Sequence, residues 1–242
     1  MKIHTCQILG VNIAALNMET LVEFTEKNLS SLSGEYICVA NVHTTVTAFE
    51  NEKYREIQNN AILTIPDGGP LSSEGRRRGS QDMCRTTGPS YMGEMLAKGY
   101  KHFFYGSTEE TLKRLRGQIE KKYPNARIVG MYAPPFRPLT EAEDRDIVKT
   151  INDADPDFVW VGLGAPKQEI WMADHKGRVK GLMVGVGAAF DYYAGNIKRA
   201  PEWMQKHNLE WLYRLIQDPK RLFKRYFVTN SKFIWHAMIK GR

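Results

Sequence analysis

The sequence predicts an α/β protein with a mostly parallel sheet, helices on both faces of the sheet and a helical appendage at the C-terminal end. Short apolar runs alternate with longer helical patterns along the first 194 of the 242 residues, which is typical of βα units. The apolar runs are almost unbroken, as expected of strands that are covered on both faces. We therefore predict an α/β domain over residues 1–194 and an appendage over residues 195–242.

Caps and chain breakers delimit the predicted elements. Asn17 is a candidate N-cap for the first helix, and Thr140 precedes a later one. Ser107, with Glu110 three residues on, forms a capping-box pattern. The helices are predicted over residues 18–32, 42–60, 89–98, 107–123, 141–152 and 166–176. The strands are predicted over residues 35–40, 61–65, 101–106, 126–132, 157–164 and 181–187.

The composition is that of a globular protein in a reducing compartment. Hydrophobic residues make up 42% and charged residues 25% of the chain, which are ordinary values. The three cysteines are widely spaced and form no CxxC pair, so neither a zinc site nor a disulfide framework is predicted. The N-terminal residues do not resemble a signal peptide, and no apolar run approaches the ~18 residues of a transmembrane helix. A reducing compartment fits this cysteine usage.

Small and polar residues follow four of the predicted strands. These loops read DGG (67–69), YGST (105–108), GLGAPKQE (162–169) and GVGAAFD (185–191). The carboxyl ends of parallel strands share one edge of a sheet, where open α/β sheets bind their ligands. Glycines let the backbone approach a ligand, and free N–H groups at a helix N-terminus favour a phosphate. Together the four loops favour a nucleotide site.

Asp67 has two interpretations from its local sequence. The stretch IPDGGPL (65–71) has strong turn chemistry, and a turn alone would explain it. Alternatively, the Asp67 carboxylate lies at the end of a strand and faces a ligand. Among the first three loops, Asp67 is the acidic residue at a strand end, apart from Glu169 inside the following helix. This position makes Asp67 a candidate for contact with a ligand.

Other motifs argue against a bound metal or dinucleotide. GLGAP lacks the third glycine of GxGxxG, no Walker lysine pattern occurs, and none of the four loops contains an Asp-x-Asp pair. The six histidines share no ligand spacing, and His43 is interpreted as a helix-entry residue. The run RRR (76–78) is either an anion clamp or, as we prefer, a solvated loop. We expect neither a metal nor a cofactor.

Basic and aromatic residues are concentrated in the appendage. Residues 195–242 carry eleven Lys or Arg against three Asp or Glu, a formal charge of +8, whereas the rest of the chain carries 23 against 24, or −1. Such a segment can lie in a membrane interface, bind nucleic acid, or dock on the domain and bury its aromatic side chains. We favour an anionic membrane surface over nucleic acid, and membrane contact is compatible with docking.

Seven blocks spread over nearly the whole chain carry a family resemblance. They are ILGVNI, VANVHT, IPDGG, FFYGST, VGLGAPKQEIWM, GVGAAFDYYAGNIKRAPEWMQKHNLEWLYRL and DPKRLFKRY. On these blocks the sequence resembles the WecG/TagA/CpsF family, which is family 26 of the glycosyltransferases. The resemblance implies a Rossmann-like domain and a C-terminal appendage that contacts the membrane and helps to close the site.

The resemblance also implies an activity and its partners. Members of the family transfer a sugar from a UDP-sugar to a polyprenyl-diphosphate-linked sugar, usually N-acetylglucosamine, with inversion and without a metal. Their products feed wall teichoic acid, enterobacterial common antigen, capsule or exopolysaccharide. We therefore expect a cytoplasmic bacterial enzyme, peripheral on the inner face of the cell membrane, whose donor sugar is a hexose, an N-acetylhexosamine or a uronic acid. Homo-oligomer formation is left open.

Catalytic residues are carried over from the family motifs. Asp67 matches the aspartate of the family's Asp-Gly motif, the proposed general base. Asn41 matches the asparagine that follows an earlier strand, and Gln168 matches the glutamine of the PKQE motif. Arg85 matches an arginine that lies after the helix following the family's Asp-Gly motif. With Asn41, it is expected to bind the acceptor.

Donor-binding residues are expected in the appendage and at the strand ends. Arg214 and Arg221 match appendage arginines proposed to hold the donor diphosphate, and guanidinium groups suit a diphosphate because they bind it bidentately. The other donor-binding candidates are Gly106, Ser107, Gly164 and Lys167.

Two departures from the family pattern fall near these residues. Asp67 lies in Pro-Asp-Gly-Gly-Pro where many members have Ala-Asp-Gly followed by Ile or Val, and Val39 stands where a threonine is common.

Two other functions stay open from the residues alone. A nucleotide-sugar oxidoreductase or epimerase should have GxGxxG at its first strand, which ILGVNIAALN lacks. A non-catalytic membrane adaptor would explain the appendage but not the four loops.

Overall fold

The computed structural model describes residues 3–241, except the side chains of Lys206 and Arg221, and it confirms the α/β class. An N-terminal hairpin is formed by β1 (Thr5–Ile8) and β2 (Val11–Ala14). The central sheet is formed by β3 (Tyr36–Ala40), β4 (Leu63–Pro66), β5 (Lys101–Gly106), β6 (Arg127–Tyr132), β7 (Phe158–Gly162) and β8 (Leu182–Gly185). Its six strands run parallel in the order β4-β3-β8-β7-β5-β6.

Helices cover both faces of this sheet, as the unbroken apolar strands predict. The domain contains α1 (Met18–Asn28), α2 (Val42–Glu50), α3 (Glu52–Asn59), α4 (Gly69–Arg77), α5 (Gly88–Leu96), α6 (Glu109–Lys122), α7 (Glu141–Asp153), α8 (Lys167–Asp174) and α9 (Ala189–Tyr193). On one face, α1, α5, α6 and α9 pack around residues such as Leu112 and Phe190. On the other face, α7 and α8 contribute Ile147 and Met172 to a separate cluster.

Several boundaries differ from those predicted. The helix that Asn17 caps ends at Asn28 and continues as a 3-10 segment, Leu29–Leu32. The helix predicted over 42–60 is broken at Asn51, whose side chain accepts a hydrogen bond from the Tyr54 N–H and caps α3. Because Asn competes for backbone hydrogen bonds, it starts a new helix more readily than it continues one.

Ser107 is not the cap of α6, so this prediction is wrong. The Thr108 side chain instead accepts a hydrogen bond from the Thr111 N–H. Ser107 has a φ of 61°, in the left-handed region, and therefore belongs to the loop before the helix. Thr140 does cap α7, with Glu143 completing a capping box.

The arginine run 76–78 is neither an anion clamp nor a solvated loop. It forms the end of α4, a helix in a stretch predicted to be irregular. Arg77 and Arg78 both donate hydrogen bonds to the carboxylate of Glu74, which is only 2% exposed. Arg78, directly after α4, also donates to the Ala237 carbonyl at 3.0 Å and so links α4 to the last helical segment of the chain that the structure describes. The run is therefore a structural anchor.

The appendage is docked on the domain. It comprises α10 (Glu202–Lys206), α11 (Glu210–Gln217), α12 (Pro219–Phe233) and a π-helical segment, Ile234–Ile239. Helix α12 packs against α2, and Phe233 and Ala237 are buried in a cluster with the N-terminal hairpin. Within residues 3–241, no helix is both long and apolar enough to cross a membrane. The boundary at residue 195 remains a prediction.

We expect Phe233→Ala to lower the free energy of unfolding by about 3–5 kcal/mol, the usual cost of deleting a buried phenyl ring. Phe233 is 1% exposed, whereas its neighbour Ile234 is 49% exposed. Ile234→Ala is therefore the matched control and should change stability by no more than about 0.5 kcal/mol. Urea unfolding of the two variants measures the difference, and equal effects would show that the end of the appendage is not part of the core.

Candidate active site

The strand order places the predicted site residues along one edge of the sheet. Asp67 follows β4 and Asn41 follows the neighbouring β3, while the Ser107 loop follows β5, four strands away from β4. Since neighbouring strands lie about 4.8 Å apart, the loop after β4 and the loop after β5 are separated by roughly 19 Å. The edge thus has an acidic end, with Asp67 and Asn41, and a glycine-rich end.

The backbone of Asp67 is held from two sides. Its N–H donates to the Ala40 carbonyl at 2.7 Å, and its carbonyl accepts from Arg85 Nε at 3.1 Å. Gly68 then begins α4 as its N-cap. The turn interpretation and the ligand interpretation of IPDGGPL are therefore compatible, because the turn fixes the carboxylate at the end of β4.

Burial raises the pKa of Asp67 from 3.8 to about 6. Arg85, Arg214 and Arg199 oppose this rise because their positive charges favour the carboxylate, while the negative charge of Glu210 reinforces it. A carboxylate with a pKa close to neutral is ionised at pH 7 and still basic enough to accept a proton. The environment of Asp67 thus suits a general base.

Asn41 has a structural role that the sequence motif did not reveal. Its Oδ1 accepts from the Thr44 N–H at 3.2 Å, and Thr44 Oγ1 accepts from the Asn41 N–H at 2.9 Å, which together form a capping box for α2. The cap does not use the Nδ2 amide group. Asn41 lies beside Asp67, since a Cβ added to Gly68 would be 3.8 Å from Asn41 Cβ.

Gln168 lies buried beneath the end of β8. Its Nε2 donates to Glu169 Oε1 at 2.8 Å, while its Oε1 is buried without a hydrogen-bond partner in the described protein. This oxygen faces the loop after β8, because a Cβ on Gly187 would lie 3.6 Å from it. Burial also raises the pKa of Glu169. An unpaired buried acceptor costs free energy, so Gln168 Oε1 is suited to accept a hydrogen bond from a ligand.

The glycine-rich end lies where β5 and β7 approach each other. Gly106 has a φ of 124°, and a Cβ there would be 2.7 Å from the Gly162 carbonyl carbon. The loops beyond these strands lead to α6 and α8, which lie on opposite faces of the sheet. Such a switch in direction opens a crevice between the loops. Ser107, Gly164 and the exposed Lys167 at the start of α8 border this crevice.

The turn between α10 and α11 packs on the acidic end of the sheet edge. A Cβ added to Gly69 would be only 2.4 Å from Asn208 Cγ, so the appendage lies directly on the turn that follows Asp67. Arg85 Nη1 donates to the Gln205 carbonyl at 3.1 Å, and Arg85 Nη2 donates to the Glu210 carboxylate. Arg85 therefore joins the Asp67 loop to two appendage helices, an arrangement that its sequence position did not reveal.

Arg214 approaches Asp67 from α11. Its guanidinium carbon lies 5.7 Å from the centre of the Tyr192 ring, and its charge acts on both Asp67 and Tyr192. Burial raises the pKa of Tyr192 to about 12, so this hydroxyl stays protonated. Arg221 lies in the first turn of α12, and its side chain is outside the described part of the structure. The sequence analysis missed Tyr192, Arg199 and Glu210 because no local pattern distinguishes them.

Asp-x-Asp triplets occur elsewhere in the chain, and three of their aspartates form ion pairs with basic residues. Asp-x-Asp triplets occupy residues 144–146, 153–155 and 155–157. Asp144 is bound by His175 and Arg178, Asp153 by Lys149, and Asp155 by Lys101. Among residues 3–241, no group of three or more His, Cys, Asp or Glu side chains could hold a metal ion. Metal independence itself remains a prediction.

Comparisons with known proteins identify the family of the chain. A sequence profile of the glycosyl transferase WecG/TagA/CpsF family matches residues 6–242. A Bacillus subtilis N-acetylglucosaminyldiphosphoundecaprenol N-acetyl-beta-D-mannosaminyltransferase is 31% identical over 212 residues, which are 85% of this chain and 80% of that protein. A Staphylococcus aureus protein of the same name is 30% identical over 225 residues, 89% of this chain and 85% of that protein. The oxidoreductase and adaptor alternatives are therefore wrong, and the chain belongs to the WecG/TagA/CpsF family of glycosyltransferases.

Proposed function

We propose that the protein transfers a sugar from a UDP-sugar to a polyprenyl-diphosphate-linked saccharide, with inversion at the anomeric carbon, in the synthesis of a bacterial cell-surface polymer. The observation that carries this proposal is the Asp67 carboxylate, fixed at the end of β4 with a pKa of about 6 beneath an appendage that brings Arg214. The names of the two relatives favour an N-acetylmannosaminyl donor and an acceptor ending in diphosphate-linked N-acetylglucosamine.

The reaction needs one proton transfer and one displacement. An acceptor hydroxyl attacks the anomeric carbon while Asp67 takes its proton, and the bond between that carbon and the β-phosphate oxygen breaks. UDP leaves with the bonding electron pair, so negative charge grows on the diphosphate. Arg214 and Arg221 are proposed to stabilise this charge, as fixed cations do in low-dielectric sites. Asn41 Nδ2 and Gln168 Oε1 are proposed to orient the acceptor and donor hydroxyl or amide groups.

The test is acceptor-dependent release of UDP from a panel of UDP-sugars, including UDP-N-acetylmannosamine. The acceptor is a short-chain prenyl-diphosphoryl N-acetylglucosamine, and each reaction is repeated with EDTA. We expect release with one donor, unchanged by the chelator. Release that needs an added divalent cation would refute the metal-independent mechanism, and absence of release with every donor would refute the proposed acceptor.

We also propose that the appendage holds the enzyme on the inner membrane surface. We call its exposed large apolar side chains the appendage patch: Trp203, Trp211, Ile216, Phe223, Phe227, Val228, Ile234, Trp235, Met238 and Ile239. Three basic residues nearby are exposed: Lys220 and Lys224 on α12, and Lys240 directly after the π-helical segment. Apolar side chains beside basic groups are typical of a helix that lies in the interface of an anionic membrane. This position would bring the site to a lipid-linked acceptor.

We expect Phe223→Ser/Phe227→Ser to weaken binding to anionic vesicles by at least ~10-fold, since each phenyl group contributes about 1.5–3 kcal/mol when fully buried in an apolar medium. The two rings are stacked with their centres 6.3 Å apart and are 63% and 67% exposed. Phe136→Ser is the control, because Phe136 is 90% exposed but lies in the loop before α7. Vesicle sedimentation measures binding, and equal losses in both variants would contradict an orientation set by the appendage.

A further inference from the structure

Arg85 is positioned to neutralise the proposed base but is engaged by other groups. Its Nε donates to the backbone carbonyl of Asp67, and its two terminal nitrogens donate to Gln205 and Glu210. Among the ion pairs of the described residues, the partner of Arg85 is Glu210 and not Asp67. The guanidinium thus acts on Asp67 through space while its hydrogen bonds hold the appendage.

Glu210 is buried between cations from two parts of the chain. It is 8% exposed at the start of α11. Besides Arg85, its carboxylate faces Arg199 Nε at 3.6 Å, and Arg199 Nη2 donates to Ser90 Oγ at 3.0 Å near the start of α5. A buried ion pair contributes little net stability, but removing one partner leaves the other charge unpaired. Such a pair is therefore better suited to fix a geometry than to stabilise the fold.

We propose that Glu210 is a positioning residue that draws the Arg85 guanidinium away from the Asp67 carboxylate when the appendage is seated. This inference rests on the proposed function, in which Asp67 is the base. When the appendage lifts, Arg85 loses Gln205 and Glu210 together, and its charge is free to pair with Asp67. Seating the appendage thus makes the carboxylate a stronger base at the moment when the site is closed.

The charges around Asp67 determine the expected direction. The groups that act on it are Arg85, Arg199 and Arg214, which lower its pKa, and Glu210, which raises it. The Tyr192 hydroxyl also lies within electrostatic reach and stays neutral. Replacing Glu210 with glutamine removes the group that raises the pKa and releases Arg85 toward the carboxylate. Both effects lower the pKa of Asp67.

The experiment is a 13C NMR titration of the aspartate carboxyl carbons in the full chain, with the Asp67 signal assigned by its loss in Asp67→Asn. We expect Asp67 to titrate near pH 6 in the wild type and about one to two pH units lower in Glu210→Gln. Glu202→Gln removes an exposed carboxylate of α10 and should leave the titration unchanged. An unchanged or raised pKa in Glu210→Gln overturns the proposal.

A double variant separates positioning from simple loosening of the appendage. Arg85→Gln/Glu210→Gln removes the two opposite charges together, and because Arg85 acts on Asp67 more strongly than Glu210 does, the pKa of Asp67 should return to the wild-type value or rise above it if the appendage stays seated. A value near 4, typical of a solvated aspartate, would show that Glu210 only holds the appendage down and would overturn the positioning role.

Kinetics provide a second measurement. The acid limb of the pH profile of kcat should shift downward in Glu210→Gln by the same amount as the NMR titration, and the plateau should fall about threefold to tenfold because a weaker base transfers protons less well. A plateau loss without a shift of the limb also contradicts the proposal. The NMR titration needs no turnover, so failure of the proposed reaction and failure of the positioning role give different results.

Discussion

Asp67→Asn is expected to reduce kcat for acceptor-dependent UDP release by about 10²–10⁴-fold, the usual contribution of a general base. Asparagine keeps the shape of the side chain but cannot accept the proton of the acceptor hydroxyl at neutral pH. The backbone hydrogen bonds of Asp67, to the Ala40 carbonyl and from Arg85 Nε, do not involve the carboxylate, so the turn should persist. The loss should therefore fall on kcat and not on folding.

The control for this variant is Asp82→Asn. Asp82 is an exposed aspartate between α4 and α5, and its replacement should leave kcat within about twofold of the wild type. Circular dichroism and thermal unfolding of both variants verify the fold. If Asp67→Asn retained wild-type kcat, Asp67 would be removed from the chemistry and IPDGGPL would be a turn without a catalytic role.

Arg214→Gln is expected to reduce kcat by about 10²–10³-fold, as the loss of one preorganised charge at a developing anion does. Arg214 is half-buried on α11, lies against the Tyr192 ring and acts electrostatically on Asp67. If it meets the departing diphosphate, its contribution grows as charge develops, so kcat should fall more than the KM for the donor rises.

Two further variants make the result for Arg214 specific. Arg214→Lys keeps the charge but not the planar pair of donors, and it should recover only part of the lost kcat. Lys224→Gln removes one exposed positive charge from α12 and should leave kcat unchanged with a water-soluble acceptor. Similar losses in Arg214→Gln and Lys224→Gln would show that the general charge of the appendage matters and not a contact made by Arg214.

The parts of the fold that local patterns determine were predictable. Six apolar runs identified the six strands of the sheet to within about two residues at most ends, since buried strands have few alternatives. The place of Asp67 at the end of a strand was predictable because glycines follow an apolar run there, and its role stays a prediction. Thr140 was recognised because its capping box is complete within four residues.

Elements whose local sequence opposes their structure were missed. The N-terminal hairpin turns at Leu9 and Gly10, and Leu9 has a φ of 51° that its packing in the core maintains. Leucine is not a typical turn residue, so the hairpin signal was weak. Helix α4 begins Gly-Pro-Leu after its N-cap Gly68 and contains Gly75, where a Cβ would lie 2.1 Å from Met83 Sδ. Tertiary packing therefore explains the backbone conformation of these residues, and their intrinsic secondary-structure propensity does not.

The electrostatic part of the site could not be predicted from local patterns at all. Arg85 and Glu210 are 125 residues apart in the chain, and Arg199 joins them from a third segment. Charged residues of this kind are indistinguishable from solvated ones in a sequence, because their role depends on burial. The raised pKa of Asp67 results from the same burial and was likewise invisible.

The appendage both contacts the candidate site and exposes apolar side chains. Asn208 lies over Gly69 and Glu210 pairs with Arg85, while the residues of the appendage patch are exposed. In the proposed membrane orientation, a lipid-linked acceptor reaches Asp67 by lateral diffusion in two dimensions. Turnover would then follow the number of acceptor molecules per unit of membrane area and not their number per unit of volume. Diluting the acceptor with inert lipid should slow the enzyme even when its total concentration is constant.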